Sequence, residues 1–358
     1  MMSSNPSLKK QTPSGKEVDI NEILPVLCKR TGCDDWRAIG EALKRRECNI
    51  YFIESAQFEL PRLVLKVYHA SLANGNLAKN EHQMLRRLKQ VASEDCTVPE
   101  SFLLLPRRNA LVMEYIDAPV SAQLLVTGAM IPGRRLFVIR RAARWLRWFH
   151  SQSQVVDTPY QARNYLKKLA DNLERIESFA PGVLAEDGFL SDCIETVRVI
   201  VSEMNGQMIP HVSTHGDFTP FNLFVDKERT VGFDIGGRGR SPLASDISRF
   251  LLYLDVYQLL PSRRRDLRKF GCRERHFLAF LDEYGLSTVG AEDTNHWLKF
   301  QFMEVVRRMV SLKMARARSG CRHVLKPLEM MRLRRSAGEM TCSLIESRDS
   351  AVDQRMIQ

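Results

Sequence analysis

The feature that most restricts the fold of this 358-residue chain is a change of apolar periodicity near residue 117. Before it, from about Ala38 to Ile116, short runs rich in β-branched and aromatic residues dominate: CNIYFIES, LVLKVY, SFLLL and ALVMEYI. Turn material, PRRN, separates the last two and predicts a hairpin. One stretch, Asn76 to Val91, has helical spacing instead. After Ala118 apolar residues mostly recur every three or four positions, as in Leu136, Ile139, Ala143, Leu146 and Phe149, or Leu166, Leu169 and Leu173. Residues 160–205 and 262–345 read as helices joined by short polar loops. Only LFV (223–225) and VGFD (231–234) return to strand. The pattern predicts an α+β, two-lobed chain. A small antiparallel sheet with one helix occupies 17–117 and a larger, mainly helical lobe 118–346. A disordered tail at 1–16 and a flexible tail at 347–358 flank them. Clefts between such lobes often hold ligands.

Composition excludes several classes of function. The sequence is 44% hydrophobic and 27% charged, as in ordinary globular proteins. No apolar run approaches the roughly 18 residues needed to span a bilayer, and the N-terminus has no apolar core of a secretory signal. The eight cysteines are scattered without a CxxC pair, unlike a disulfide framework or zinc site. They fit free thiols in a reducing cytoplasm. The net charge of +11 raises the question of a polyanionic partner. Much of it lies between Lys299 and Arg335, which reads either as a solvated helix surface or as the neighbourhood of an acidic substrate. The stretch Arg307–Arg335 contains no aromatic side chain to stack on bases, which argues against single-stranded nucleic acid.

One segment carries chemistry: His215-Gly216-Asp217-Phe218-Thr219-Pro220-Phe221-Asn222, followed after a second apolar strand by Asp234. Asp and Asn beside a proline are common turn formers, so HGD alone would say little. The full set offers more. Phosphoryl transfer needs a carboxylate to take the proton of the attacking hydroxyl, and oxygen-rich groups to hold Mg²⁺ against nucleotide phosphates. A loop–strand–turn–strand unit can gather three such groups. A second signal lies upstream. Lys66 interrupts the apolar strand LVLKVY, and Glu81 falls among Leu77, Met84, Leu85 and Leu88 on one helix face. Each would be costly if buried alone; pairing resolves both, although Lys66 could also snorkel outward.

The run HGDFTPFNLFVD…VGFDIGG resembles the catalytic-loop signature of the aminoglycoside phosphotransferase/choline kinase family, which has a protein-kinase-like fold. That resemblance implies an ATP- or GTP-dependent kinase with an alcohol group as acceptor. It implies Asp217 as catalytic base and Asn222 and Asp234 as Mg²⁺ ligands. Lys66, paired with Glu81, would reach the nucleotide phosphates, and the end of ALVMEYI, Glu114 to Ile116, would offer backbone groups to the adenine ring. His215 would be a structural member of the loop, and Asp246, in SPLASDISRFLLYL, would brace it or serve merely as a helix-entry carboxylate. The phosphate-covering loop departs from a glycine-rich pattern: it reads KRREC, leaving Lys44, Arg45 and Arg46 to meet phosphate by charge or to face water. The acceptor is open among a sugar, a glycoconjugate precursor and an anionic metabolite. The alternative is a catalytically weak, pseudokinase-like nucleotide-binding protein.

Overall fold

The computed structural model describes residues 20–45, 47–56, 61–69, 76–128, 131, 133–236, 239–257, 261–286, 291–319 and 325–356, with side chains from 295–318 and 327–346 in the last two segments. Arg46 and residues 1–19 lie outside this set. Two compact units emerge: Met1–Ser93 with Thr97–Asp117, and Glu94–Cys96 with Ala118–Gln358.

In the first unit α1 (Ile20–Thr31) precedes the strands β1 (Arg37–Lys44), β2 (Cys48–Glu54) and β3 (Leu63–Tyr68). Helix α2 (Leu77–Gln90), the two-residue strand β4 (Cys96–Thr97), β5 (Ser101–Leu105) and β6 (Ala110–Glu114) follow. Five strands form one antiparallel sheet in the order β1-β2-β3-β6-β5. The PRRN hairpin closes with Asn109 at φ 45°, a left-handed position that asparagine tolerates. Helix α1 is an addition to the expected single helix. Its Pro25 removes a helix donor and argues against an interior helical position. Tertiary burial overrides that preference, because Ile23 and Leu27 pack into a core with Ile53, Leu65, Val67 and Val112. The phosphate-loop expectation also shifts: the KRREC turn lacks glycine, but Gly40 sits within β1 at φ 66°, where the register with β2 is irregular.

The second unit is mainly helical: α3 (Ser121–Thr127), α4 (Arg134–Ser151), α5 (Ala162–Phe179), α6 (Gly188–Met204), α7 (Leu243–Val256), α8 (Arg264–Phe270), α9 (Glu274–Tyr284), α10 (Ala291–Ser319) and α11 (Leu325–Met356). Helix α11 thus continues to Met356, into the stretch read above as a flexible tail. Two small sheets interrupt the helices. Strands β9 (Leu223–Val225) and β10 (Thr230–Gly232) form the expected hairpin, and the Thr230 N–H meets the Asp95 carbonyl within the same unit. A second sheet, β11-β8-β7, joins β7 (Val156–Pro159), β8 (Met208–Ser213) and β11 (Arg240–Pro242) and was not anticipated. Each of its strands contains a proline, which blunts a strand signal in sequence.

Helix α4 shows why this unit folds as it does. Val138, Ala142, Trp145 and Phe149 recur at helical spacing and are buried. From there a run of rings crosses the unit: Phe149 to Trp145 at 5.3 Å, Trp145 to Phe218 at 5.8 Å, Phe218 to Phe250 at 5.2 Å and Phe250 to Phe280 at 5.3 Å. Among the described residues no helix is long and apolar enough to cross a membrane, and seven cysteines are free thiols. Much of the basic charge between Lys299 and Arg335 is committed internally: Arg307 to Glu304 at 2.7 Å, Arg308 to Glu329 at 2.6 Å, and Lys313 and Arg334 to Asp187 at 2.6 Å each. Arg332 and Arg335 donate to the carbonyls of Val256 and Ser262.

Candidate active site

Between β8 and β9 the chain makes a loop whose shape is set by one carboxylate. Gly216 turns the backbone at φ 79°, a left-handed conformation with little cost for glycine. That turn points two successive amides the same way. Asp246 Oδ2 accepts from the His215 N–H at 2.7 Å, and Oδ1 from the Gly216 N–H at 3.0 Å. Asp246 stands in the first turn of α7 and is buried. His150, at the end of α4, approaches Oδ2 with Nε2 at 3.2 Å, and its Nδ1 lies 2.7 Å from the Tyr284 hydroxyl. Burial pushes the Asp246 carboxyl up. The His150 hydrogen bond and the nearby Arg249 charge help to outweigh it, holding the group below the usual carboxylate range.

His215 is fully buried. Its Nε2 is 3.0 Å from the Phe233 carbonyl and its Nδ1 lies 3.4 Å from the Asp217 N–H, an arrangement that suits one neutral tautomer. Burial lowers its pKa despite the opposing charges of Asp246, Asp217 and Asp234, so the ring stays neutral. It therefore ties the Asp217 backbone to the residue preceding Asp234.

Asn222 closes the loop. Its Nδ2 donates to the Asp217 carbonyl at 2.8 Å and lies 3.3 Å from Asp217 Oδ2, and its own carbonyl accepts from the Phe233 N–H at 3.1 Å. With the amide nitrogen engaged inward, the amide oxygen remains as an acceptor. Asp234 follows at φ 60° and is exposed. The structure thus brings Asp217 and Asn222 onto one hydrogen-bonded unit with His215, Asp246 and the backbone of Phe233, the residue before Asp234. Among the described residues no three His, Cys, Asp or Glu side chains gather as a self-sufficient metal centre. Two carboxylates and an amide oxygen are hard donors, and Mg²⁺ is usually held by one or two carboxylates together with substrate phosphates. The donor set fits that ion.

Sequence reasoning missed a second layer of this unit. Arg249 donates Nη1 to the Gly216 carbonyl and forms a two-pronged pair with Glu304, Nε to Oε2 and Nη2 to Oε1 at 3.1 Å each. Both are buried. Their signal was the one that revealed Lys66 and Glu81: an ionisable residue inside an apolar pattern, here SRFLLYL and FMEVV. Also missed was an aromatic shelf next to the loop. Phe221, 45% exposed, meets Tyr257 at 5.4 Å and Tyr253 at 5.9 Å, and the two tyrosine rings stack at 5.4 Å. Arg308 lies over Tyr253, 5.5 Å from its centroid. Burial, and after it the neighbouring Asp217 charge, raises the Tyr253 hydroxyl's pKa, although Arg308 opposes them.

In the first unit Lys66 and Glu81 are both buried and 3.1 Å apart. Tyr68 also donates to Glu81; burial and the Glu81 charge raise its pKa. The buried stripe of α2 runs through Ala78, Glu81, Leu85 and Leu88, with Leu77 and Met84 only half-buried. The Glu114 side chain turns to Lys89 at 3.4 Å and to the Glu100 N–H at 3.0 Å. Ile116 is buried, and among the described residues its N–H meets no acceptor. Lys44 and Arg45 are exposed.

A family model described as "Phosphotransferase enzyme family" matches residues 46–281. No curated protein matches the chain. Among solved structures, a choline/ethanolamine kinase family protein from Mesorhizobium loti superposes with a TM-score of 0.52 at 13% identity, covering 90% of this chain and 99% of that one. An amicoumacin kinase in complex with AMP-PNP, Ca²⁺ and amicoumacin superposes at 0.55 with 15% identity, covering 87% and 92%. A glucosamine kinase with glucosamine, ADP and inorganic phosphate gives 0.54 at 15%, covering 87% and 81%. At these identities the likeness is one of fold, the protein-kinase-like α+β arrangement.

Proposed function

The chain belongs to the phosphotransferase enzyme family, and from that premise we propose that it moves the γ-phosphoryl group of ATP, or GTP, to a hydroxyl of a small molecule with Asp217 as the base. The observation that carries this reading is the fixing of Asp217. Its N–H is tied to His215 and its carbonyl to Asn222, inside a loop clamped by Asp246. A carboxylate held this way meets an acceptor hydroxyl at little further entropic cost. As the acceptor oxygen bonds to phosphorus, the bond to the β-phosphate oxygen breaks and the hydroxyl proton passes to the Asp217 carboxylate. Asn222 and Asp234 would hold Mg²⁺, which when bound neutralises phosphate charge. Lys66, kept in place by Glu81 and Tyr68, adds positive charge for the phosphates. The Ile116 N–H and the Glu114 backbone serve the adenine ring.

Phe221, Tyr253 and Tyr257 favour one acceptor class. Aromatic rings with polar ends suit a compact polyol such as a sugar, whose C–H face packs on the ring while its hydroxyls reach polar groups. The basic segment 299–335 was the ground for an anionic acceptor. Arg307, Arg308, Lys313 and Arg334 pair with Glu304, Glu329 and Asp187, which weakens that ground. Replacing Asp217 by Asn tests the central claim. Sugar-dependent ADP release is expected to fall by about 10²–10⁴-fold with the melting temperature unchanged; full activity in Asp217→Asn would refute the base.

A further inference from the structure

The N-terminal ends of α4 and α9 carry a group of cations that phosphoryl transfer does not use. The two helices run side by side. Arg144 of α4 meets Glu283 of α9 at 2.8 Å. Stepping back from that pair at 1.5 Å per residue, Arg135 lies about 13 Å along α4 and His276 about 10 Å along α9. Arg273 and Arg275 act electrostatically on Arg135, and all three on His276, so the helices run parallel and begin side by side. Neither has a side-chain cap: Gly133 and Arg273 stand at the N-cap positions without a capping hydrogen bond. The first N–H groups of a helix lack intrahelical partners and carry the positive end of its dipole.

Unpartnered side chains converge on these ends. His276 is 1% exposed, and among the described residues neither ring nitrogen has a hydrogen-bond partner. Arg135 is 8% exposed; its Nη1 donates to the Leu125 carbonyl, but among the described residues its buried Nε has no partner. Arg273 is half-buried and Arg275 exposed, so positive charge leads from the surface inward. Burial and the charges of Arg135, Arg275 and Arg273 push the His276 imidazole down to about 3. Asp255 and Asp266 act on Arg273, with Arg263 opposing them, and Glu274 turns to Arg265, but among the described residues no acid offsets the charge around Arg135 and His276. A buried histidine and a buried guanidinium with unmatched nitrogens are expensive for a protein to maintain. A multiply charged oxyanion would satisfy both and complete two uncapped helices.

We propose that the joined N-terminal ends of α4 and α9 form a second binding site, for a phosphate-like oxyanion, with Arg135 and His276 at its floor and Arg273 and Arg275 at its mouth. The site takes its ligand through three or more oxygens. That selects tetrahedral phosphate, sulfate or a phosphomonoester over chloride.

Thermal melting of the full chain at constant ionic strength tests this. Against chloride, about 20 mM inorganic phosphate is expected to raise the melting temperature by about 2 °C. Lys66→Ala, which alters only the proposed nucleotide site, should keep that rise. Arg135→Gln and Arg275→Glu should lose most of it. Arg275 is exposed, so Arg275→Glu keeps the test valid if Arg135→Gln does not fold. No rise in the wild type, or an undiminished rise in both arginine variants, overturns the site. Loss of the rise in Lys66→Ala alone would place the phosphate at the nucleotide site and also overturn it. A parallel series with glucose 6-phosphate separates the sources. A larger shift than with inorganic phosphate assigns the site to a phosphorylated metabolite, and a smaller one to the free anion.

Discussion

Asp246 and Arg249 sit three residues apart on one face of α7 and hold the same loop from opposite chemical sides, one through amides and the other through the Gly216 carbonyl. Glu304 keeps the guanidinium in plane. Arg249→Lys retains the charge and loses the fork. Removing one partner of a buried pair is costly, and lysine cannot replace two parallel bonds, so a loss of about 2 kcal/mol is expected by urea titration. As a positioning residue it should lower kcat more than it raises KM for the nucleotide; unchanged kcat would remove it from that role. The pair shows what sequence conceals. Lys66 and Glu81 were readable because each interrupts a short apolar pattern with a complementary partner 15 residues away. Arg249 and Glu304 interrupt theirs just as plainly, but 55 residues separate them, and Glu304 lies beside a basic run that reads as surface charge. The aromatic shelf was hidden for a similar reason. Phe221, Tyr253 and Tyr257 look like loop and core aromatics until α7 brings them together.

At the scale of elements, the β9–β10 hairpin is the part that the fold can least afford to shift. Gly232 ends β10 two residues before Asp234, and an added Cβ there would fall within the Trp145 ring. That ring is held by Phe149 and Phe218 and cannot retreat. Gly232→Ala is therefore expected to destabilise the protein by about 3 kcal/mol, in the range of core overpacking. It should also depress turnover, because the hairpin carries Phe233 and Asp234. Circular-dichroism melts together with kinetics would check both, and a variant as stable and active as the wild type would disprove the argument. Hairpins were legible wherever apolar runs flanked turn residues, as at PRRN and at 223–234. The sheet β11-β8-β7 was not, because its strands are short, contain proline and find partners more than 25 residues away in sequence. Helix α1 failed differently: Pro25 gave the right local warning, and burial of Ile23 and Leu27 overrode it.

Across the whole molecule, buried histidines set the response to acid. His276 and His215 both titrate below their ordinary value when folded, chiefly through burial. The unfolded chain therefore binds protons that the native state refuses. Stability should decline as pH falls below about 6.5, by up to about 1.4 kcal/mol per pH unit for each group, and for His276 the decline continues to about pH 3. Asp246 and Glu304, held below their ordinary values, extend the loss to lower pH. In chloride buffers, His276→Asn should shrink the stability difference between pH 7 and pH 5 by about 2 kcal/mol in urea titrations; an unchanged difference would show that the ring titrates normally. The left-handed backbone at Asp234 has a consequence of another kind. Only glycine, asparagine and aspartate occupy such a conformation with ease. A single nucleotide change converts an aspartate codon to either of the other two. Drift at that codon can thus erase a charge while leaving the architecture intact, so descendants of such a chain have a short route to inherited shape without inherited chemistry.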